Sequence, residues 1–79
     1  MNNLHKMQVE LEPEELAAIY WSRTYGYDYG FRIRNNKLEY NSGGGSWQLV
    51  KSHWNKYVTL ERWNGAGNPT IDLSTIPKI

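Results

Sequence analysis

The sequence predicts an α+β domain in which one N-terminal helix packs on an antiparallel β-meander of four to five strands. Three observations lead to this fold class. Residues 27–40 alternate between apolar and polar side chains on either side of a turn. Residues 13–25 combine a helix start signal with an apolar stripe at helical spacing. Three later runs, residues 47–53, 57–63 and 70–74, alternate again and predict further strands.

The N-terminal helix is predicted to cover residues 13–25. Pro13 suits the first helical position, and the two carboxylates that follow it complement the positive end of the helix dipole. Gly26 is expected in the left-handed conformation that commonly ends a helix. Residues 1–10 have no clear periodicity, so they either fray or contribute a short strand around residues 7–11.

The hairpin is the most specific of the predicted elements. Asn35 and Asn36 tolerate positive φ angles and therefore predict a two-residue type I′ turn. Such a turn sets four cross-strand pairs: Phe31–Tyr40, Arg32–Glu39, Ile33–Leu38 and Arg34–Lys37. The apolar pairs share one face of the sheet and the oppositely charged pair lies on the other. A register shifted by one residue would lose both kinds of pairing.

The second half of the chain is predicted to complete the sheet. Residues 41–46 contain three consecutive glycines, which are costly to order, so they are predicted to form a loop. Residues 47–53 and 57–63 are predicted as the third and fourth strands. Residues 70–74 are predicted as a last edge strand, and Pro77 would prevent its extension.

At 79 residues the chain is predicted to form a single small domain, residues 1–79. It has no cysteine, so the four tryptophans, six tyrosines and one phenylalanine are expected to supply much of the core. No segment approaches the ~20 apolar residues of a membrane span, and the N-terminus lacks a signal-peptide pattern. We therefore expect a soluble protein of the cytoplasm, which would be the host cytoplasm if a phage encodes it.

Catalysis and cofactor binding are not expected. The two histidines, His5 and His53, stand apart without cysteine, so no metal site is predicted. No serine lies in a Gly-x-Ser-x-Gly elbow, and residues 43–46 lack the ending of a phosphate-binding loop. Glu39 and Glu61 are better interpreted as partners of basic side chains than as an acid–base pair. The sequence thus predicts a protein that is not an enzyme, with no catalytic residues, no metal and no cofactor.

Surface recognition is the remaining class of function. Basic and aromatic side chains interleave between residues 29 and 63, where six basic residues stand against two acidic ones. This composition suits a protein interface, in which Trp, Tyr and Arg are favoured anchors. It also suits stacking on unpaired bases combined with neutralisation of phosphates. The predicted partner-binding residues are Arg32, Arg34, Lys37, Trp47, Lys51, Trp54, Lys56, Arg62 and Trp63.

The sequence therefore predicts a small binding module that uses an aromatic and basic sheet face to bind a macromolecular partner. A protein partner is favoured, because the net charge of +1 is far below that of typical nucleic-acid-binding domains. The protein would then be an inhibitor or adaptor of the phage or mobile-element type. Single-stranded nucleic-acid binding by the hairpin face is the alternative.

Two further interpretations stay open at this point. Carbohydrate could bind to a platform made by Trp47 opposite Trp63, although nothing in the sequence suggests secretion. A homodimer could form, because the acidic helix and the basic sheet could pair between two copies.

Overall fold

The computed structural model describes residues 11–27 and 29–79, which form three helices and a three-stranded antiparallel sheet. In chain order the elements are α1 (Pro13–Thr24), β1 (Gly30–Arg34), β2 (Lys37–Asn41), β3 (Gln48–Leu49), α2 (Val50–His53) and α3 (Lys56–Gly65). The α+β class is confirmed, but the predicted four to five strands around one N-terminal helix are not. The predictions for residues 1–10 lie outside the described part of the chain.

Helix α1 begins and ends close to where the sequence predicts. Pro13 occupies its first turn, and the side chain of Glu15 accepts a hydrogen bond from the backbone N–H of Glu12 at 2.8 Å. At the other end, the N–H of Tyr25 donates to the carbonyl of the preceding turn, and Gly26 has a φ of 77°. The helix ends there because Gly26 adopts the left-handed conformation without a Cβ penalty.

The hairpin of β1 and β2 has the predicted register at all four pairs. Asn35 and Asn36 have φ angles of 54° and 61°, as a type I′ turn requires. Ile33 and Leu38 are buried beside each other at 2% and 0% exposure. The turn chemistry and the alternation therefore specify this element together.

The predicted third and fourth strands are wrong over most of their length. Only Gln48–Leu49 form a strand, which pairs with β2, and the chain then turns into α2 and α3. In α3 the side chain of Asn55 caps the helix by accepting from the N–H of Val58 at 3.5 Å. Thr59 and Trp63, four residues apart, place one face of α3 in the core.

The predicted edge strand at residues 70–74 is also wrong. The structure assigns no strand to residues 70–74. Arg23 of α1 donates to the carbonyl of Asp72 at 2.6 Å. The edge of β1 is covered further along the chain, where the N–H of Ile33 donates to the carbonyl of Pro77 at 2.8 Å. The N–H of Ile79 donates back to the carbonyl of Ile33 at 2.8 Å, which makes a parallel bridge. Pro77 thus helps to cover the edge of β1. Proline has no backbone N–H to donate, but its carbonyl oxygen still accepts the hydrogen bond from Ile33.

The core lies between α1, α3 and the inner face of the hairpin. Its buried apolar side chains are Leu11, Leu16, Ala17, Ala18, Ile19, Ile33, Leu38, Val50, Trp63, Ile71, Leu73 and Ile76. One carboxylate, that of Glu15, is buried among them at 1% exposure. None of the described helices combines the length and apolar character needed to cross a membrane.

Candidate functional site: an aromatic cleft

An open hollow of about 360 Å³ lies between α1, the hairpin and the start of α3. This volume is within the range of ordinary ligand pockets, roughly 300–1,000 Å³. Four aromatic residues from four separate parts of the chain line it, together with four smaller side chains. The lining residues are Trp21, Tyr29, Tyr40, His53, Trp54, Asn55, Val58 and Thr59.

A second hollow of about 390 Å³ lies beside α3. Its lining residues are Trp21, Tyr25, Tyr27, Val58 and Arg62. The two hollows share the lining residues Trp21 and Val58, so they are neighbours on the surface. We call the groove formed by these two sets of lining residues the aromatic cleft. Among the described residues that line it, none is acidic, and Arg62 carries a permanent positive charge.

Trp54 is the centre of the ring packing that builds the cleft. Its ring meets those of Tyr40, Tyr29 and Trp21 edge to face, at centroid distances of 5.0, 5.3 and 5.8 Å. The interplanar angles are 86°, 78° and 83°. Edge-to-face pairs are favourable because the positive ring edge meets the negative ring face. The rings are therefore held in place before any partner arrives.

The chain between α1 and β1 extends the aromatic wall. Tyr27 stacks on Trp21 at a centroid distance of 4.4 Å and an interplanar angle of 12°. Its backbone is tied to α1, since its N–H donates to the carbonyl of Ser22 at 2.9 Å. The hydroxyl of Ser22 donates in turn to the carbonyl of Tyr27 at 2.7 Å. This pair of bonds positions the ring although it is 48% exposed.

At the far end of the cleft, Arg62 of α3 lies over the ring of Tyr25. The centre of its guanidinium is 5.6 Å from the ring centroid, and one nitrogen donates to the Tyr25 hydroxyl at 3.4 Å. Arg62 contacts no carboxylate in the part of the chain that the structure describes. A cation–π contact leaves the positive charge available to a further anion, because the ring contributes no net negative charge.

The nine residues predicted from the sequence to bind a partner do not form one surface. Trp54 lines the first hollow of the aromatic cleft, and Arg62 lines the second. Trp63 lies in the core at 8% exposure, and its indole N–H donates to the carbonyl of Pro69 at 3.0 Å. Trp63 therefore offers no surface to a partner, and the predicted platform of Trp47 and Trp63 does not exist. The physical reason is that residues 57–63 are helical, so Trp63 points to the core.

Four of the predicted residues lie together on the outer face of the hairpin, which we call the hairpin patch: Arg32, Arg34, Lys37 and Trp47. Arg32 pairs with Glu39 at 2.5 Å and lies over the ring of Trp47, 4.3 Å from its centroid. Arg34 and Lys37 are exposed and have no ion pair among the described residues. The patch is separated from the aromatic cleft by the sheet itself, since alternate residues of a strand point to opposite faces.

The other two predicted residues, Lys51 and Lys56, bind the acidic start of α1. The Nζ of Lys51 is 2.8 Å from Glu12, and that of Lys56 is 3.7 Å from Glu14. Part of the basic segment thus meets the acidic start of α1 within one chain. The hydrogen bond and charge of Lys51 hold the pKa of Glu12 below its ordinary value, and Glu12 raises the pKa of Lys51.

Replacing Lys51 is expected to raise the pKa of Glu12. In a Lys51→Gln variant the Glu12 carboxylate loses its strongest stabilising contact, so its pKa should return towards the ordinary value. Since the pKa of Glu12 is lowered by folding, its contribution to stability is present above the unfolded-state pKa. That contribution is lost as the pH falls through the folded-state pKa.

A pH titration followed by carboxylate carbon NMR measures this change in pKa. Lys37→Gln is the matched control, because Lys37 acts on Glu12 only through weaker long-range attraction. An equal rise of the Glu12 pKa in both variants would contradict the assignment to the Lys51 contact.

The sequence analysis missed five of the residues that build the cleft: Trp21, Tyr25, Tyr27, Tyr29 and Tyr40. A signal was present, because Trp21 and Tyr25 are four residues apart at the end of the predicted helix, a spacing that places side chains beside each other. Their proximity to Trp54 depends on tertiary packing. As for metals, the described residues contain no group of three His, Asp or Glu side chains placed to hold an ion.

Comparison with known proteins adds no relative from which a function could be transferred. No protein-family model, no curated protein and no solved structure matches the chain. The chemistry of the cleft is therefore the basis for its interpretation.

Proposed function

We propose that this protein is a non-enzymatic binding module that holds a segment of a partner protein in the aromatic cleft. The observation that supports this most is a pair of adjoining hollows that are lined by six aromatic residues: Trp21, Tyr25, Tyr27, Tyr29, Tyr40 and Trp54. Tyr25 and Tyr27 are 46% and 48% exposed in spite of their ring contacts. Exposed apolar surface that is gathered in one groove is typical of interaction sites.

The residue types in the cleft match those that dominate binding energy at protein interfaces. Trp, Tyr and Arg are enriched among such residues, and all three line this groove. Their rings are already packed against one another, so little ordering cost is added on binding. A module of this size that binds without catalysis would act as an inhibitor or adaptor, of the kind that phages and mobile elements encode.

Affinity capture from the source cell, with nuclease treatment in one arm, tests the proposal. A variant carrying Tyr25→Ser and Tyr27→Ser is expected to bind the partner at least ten-fold more weakly, which corresponds to about 1.4 kcal/mol of binding free energy. Correspondingly less partner should be captured. Tyr57→Ser is the matched control, because Tyr57 is 77% exposed and does not line the cleft. Nuclease should leave the capture unchanged.

Two results would count against the proposal. Equal capture by the double variant and by the Tyr57→Ser control would place the binding surface elsewhere. Loss of the captured protein after nuclease treatment would indicate that nucleic acid bridges the two. Circular dichroism of both variants establishes that the fold is retained.

A second candidate function is single-stranded nucleic-acid binding by the hairpin patch. Arg34 and Lys37 have no carboxylate partner among the described residues, and the ring of Trp47 is 37% exposed beneath Arg32. Basic side chains beside an exposed ring suit phosphate contacts and base stacking. Filter binding of an oligonucleotide at two salt concentrations distinguishes it, since affinity should fall steeply with salt. An absence of binding at low salt would exclude it.

A further inference from the structure

We infer that the occupant of the aromatic cleft is a proline-rich segment of the partner protein in the polyproline II conformation, with an acidic residue at one end. This inference rests on the proposed function, since it names the chemical class of the segment that the cleft holds. It follows from three features of the cleft: the arrangement of its rings, its free hydrogen-bond donors and its charge.

The rings of the cleft form ridges and not a flat platform. Trp54 stands nearly perpendicular to the rings of Tyr29 and Tyr40, and Trp21 stands nearly perpendicular to Trp54. Grooves between steep aromatic walls are the surfaces on which polyproline II segments dock, because proline rings fit between the aromatic rings. The polyproline II helix is already formed before binding, so the loss of conformational entropy is small.

Two tryptophans that line the cleft also carry hydrogen-bond donors that the described residues leave unused. The indole N–H groups of Trp21 and Trp54 donate to no acceptor in the described part of the chain, whereas the core residue Trp63 donates to the carbonyl of Pro69. Unpaired donors in a groove match a ligand that supplies acceptors. A polyproline II backbone has exposed carbonyl groups with no internal partners, and proline itself has no N–H.

Two other kinds of occupant fit these features less well. An α-helix would lay its side chains in the groove, but its backbone carbonyls are already used within the helix. The grooves that bind helices are usually lined by aliphatic or methionine side chains. In this cleft Val58 is the single aliphatic side chain among the described lining residues. A nucleic-acid strand needs several basic residues along its phosphates, and Arg62 is the sole arginine or lysine in the described lining.

The positive charge of Arg62 indicates where an acidic residue of the ligand would bind. Arg62 stands beside Tyr25 at one end and contacts no carboxylate among the described residues. No described lining residue is acidic. A carboxylate at the end of the bound segment that meets Tyr25 would pair with Arg62 while the prolines occupy the ring ridges nearer Trp54.

Titration with synthetic peptides, followed by the indole N–H signals in proton–nitrogen NMR spectra, tests this inference. The probe is an acetylated hexaproline peptide that ends in two glutamates. We expect saturable shifts of the Trp21 and Trp54 indole signals, while those of Trp47 and Trp63 stay in place because neither residue lines the cleft. A peptide with glycine in place of every proline should bind at least ten-fold more weakly, because it is not pre-formed.

The role of Arg62 is tested separately from that of the rings. Arg62→Gln should lower the affinity for the glutamate-ended peptide about two- to fivefold, as expected for the loss of an exposed ion pair. The same variant should weaken the binding of a glutamine-ended peptide less than that of the glutamate-ended peptide, because only the latter offers a carboxylate to Arg62. Equal weakening of both peptides would overturn the assignment of the acidic end. Thermal unfolding of Arg62→Gln shows whether the variant keeps its fold.

Three outcomes would overturn the polyproline assignment. These are no shift of the Trp21 and Trp54 signals at millimolar peptide, equal binding of the glycine peptide, or a stronger shift of the same signals by an oligothymidine decamer. If the peptide fails while the variant carrying Tyr25→Ser and Tyr27→Ser still loses its captured partner, the proposed function stands and the class of segment is wrong. If both fail, the cleft is not the binding surface.

Discussion

A Glu15→Ala variant is expected to lose about 3 kcal/mol of its free energy of unfolding. The carboxylate of Glu15 is 1% exposed and accepts two backbone N–H bonds, from Glu12 at 2.8 Å and from Leu38 at 2.7 Å. It therefore caps α1 and joins that helix to strand β2. Alanine leaves both N–H groups without their acceptor, and at least the buried one cannot turn to water.

Thermal and urea denaturation measure this loss. For a domain of this length, about 3 kcal/mol corresponds to a fall in Tm of about 12–24 °C. Glu14→Ala is the matched control, since the neighbouring Glu14 accepts neither of these two backbone N–H bonds and lies 3.7 Å from Lys56, so its loss should change stability by less than about 1 kcal/mol. Comparable losses in the two variants would contradict the role assigned to Glu15.

A Glu15→Gln variant separates the shape of the side chain from its charge. Each carboxylate oxygen of Glu15 accepts from a different N–H, because Oε1 serves Glu12 and Oε2 serves Leu38. Glutamine keeps one acceptor oxygen and brings an N–H₂ group towards the other donor. We therefore expect its stability to lie below that of the wild-type protein and close to that of Glu15→Ala.

The second large effect is expected for Trp54→Ala, at about 2–3 kcal/mol of unfolding free energy. The ring of Trp54 contacts the rings of Trp21, Tyr29, Phe31 and Tyr40 at centroid distances of 5.0–6.3 Å. Its removal takes away four aromatic contacts at once. The loss is smaller than for a fully buried tryptophan, because Trp54 is half-buried.

Trp47→Ala is the matched control for this prediction. Trp47 is 37% exposed and stacks with Arg32 alone among the described residues, so less than about 1 kcal/mol should be lost. Urea denaturation of both variants gives the comparison. If Trp47→Ala proved the more damaging change, Trp54 would not be the centre of the ring packing.

Trp54→Phe keeps an aromatic ring but lacks the indole N–H. It should therefore lower the affinity for the proline-rich peptide by more, in free energy, than it lowers the stability of the fold.

The elements predicted correctly from the sequence are those whose signals lie within a few residues. Pro13 and the carboxylates beside it start α1, and Gly26 ends it. Asn35 and Asn36 adopt the positive φ angles that set the hairpin register. Local chemistry was sufficient here because the turn and the alternation favour the same arrangement.

The segment from residue 47 to residue 63 was mispredicted because its pattern fits two periods. Val58 and Leu60 alternate as in a strand, but Thr59 and Trp63 also fit one face of a helix. The helix forms where α3 can pack against α1, and Asn55 caps it. A strand at this position would have needed the outer edge of β3, which is only two residues long.

By itself, the order of residues determined the α1 start, the Asn–Asn turn and a chain rich in aromatic and basic side chains. Only the tertiary structure decided which aromatic rings enter the core and which wall an open groove. Trp63 is buried, whereas Trp54 and Trp21 are only half-buried. The exposure of each ring depends on which distant elements pack over it. No single stretch of sequence specifies which rings are buried, because the contacts that bury them join elements that are far apart in the chain, from residue 21 to residue 62.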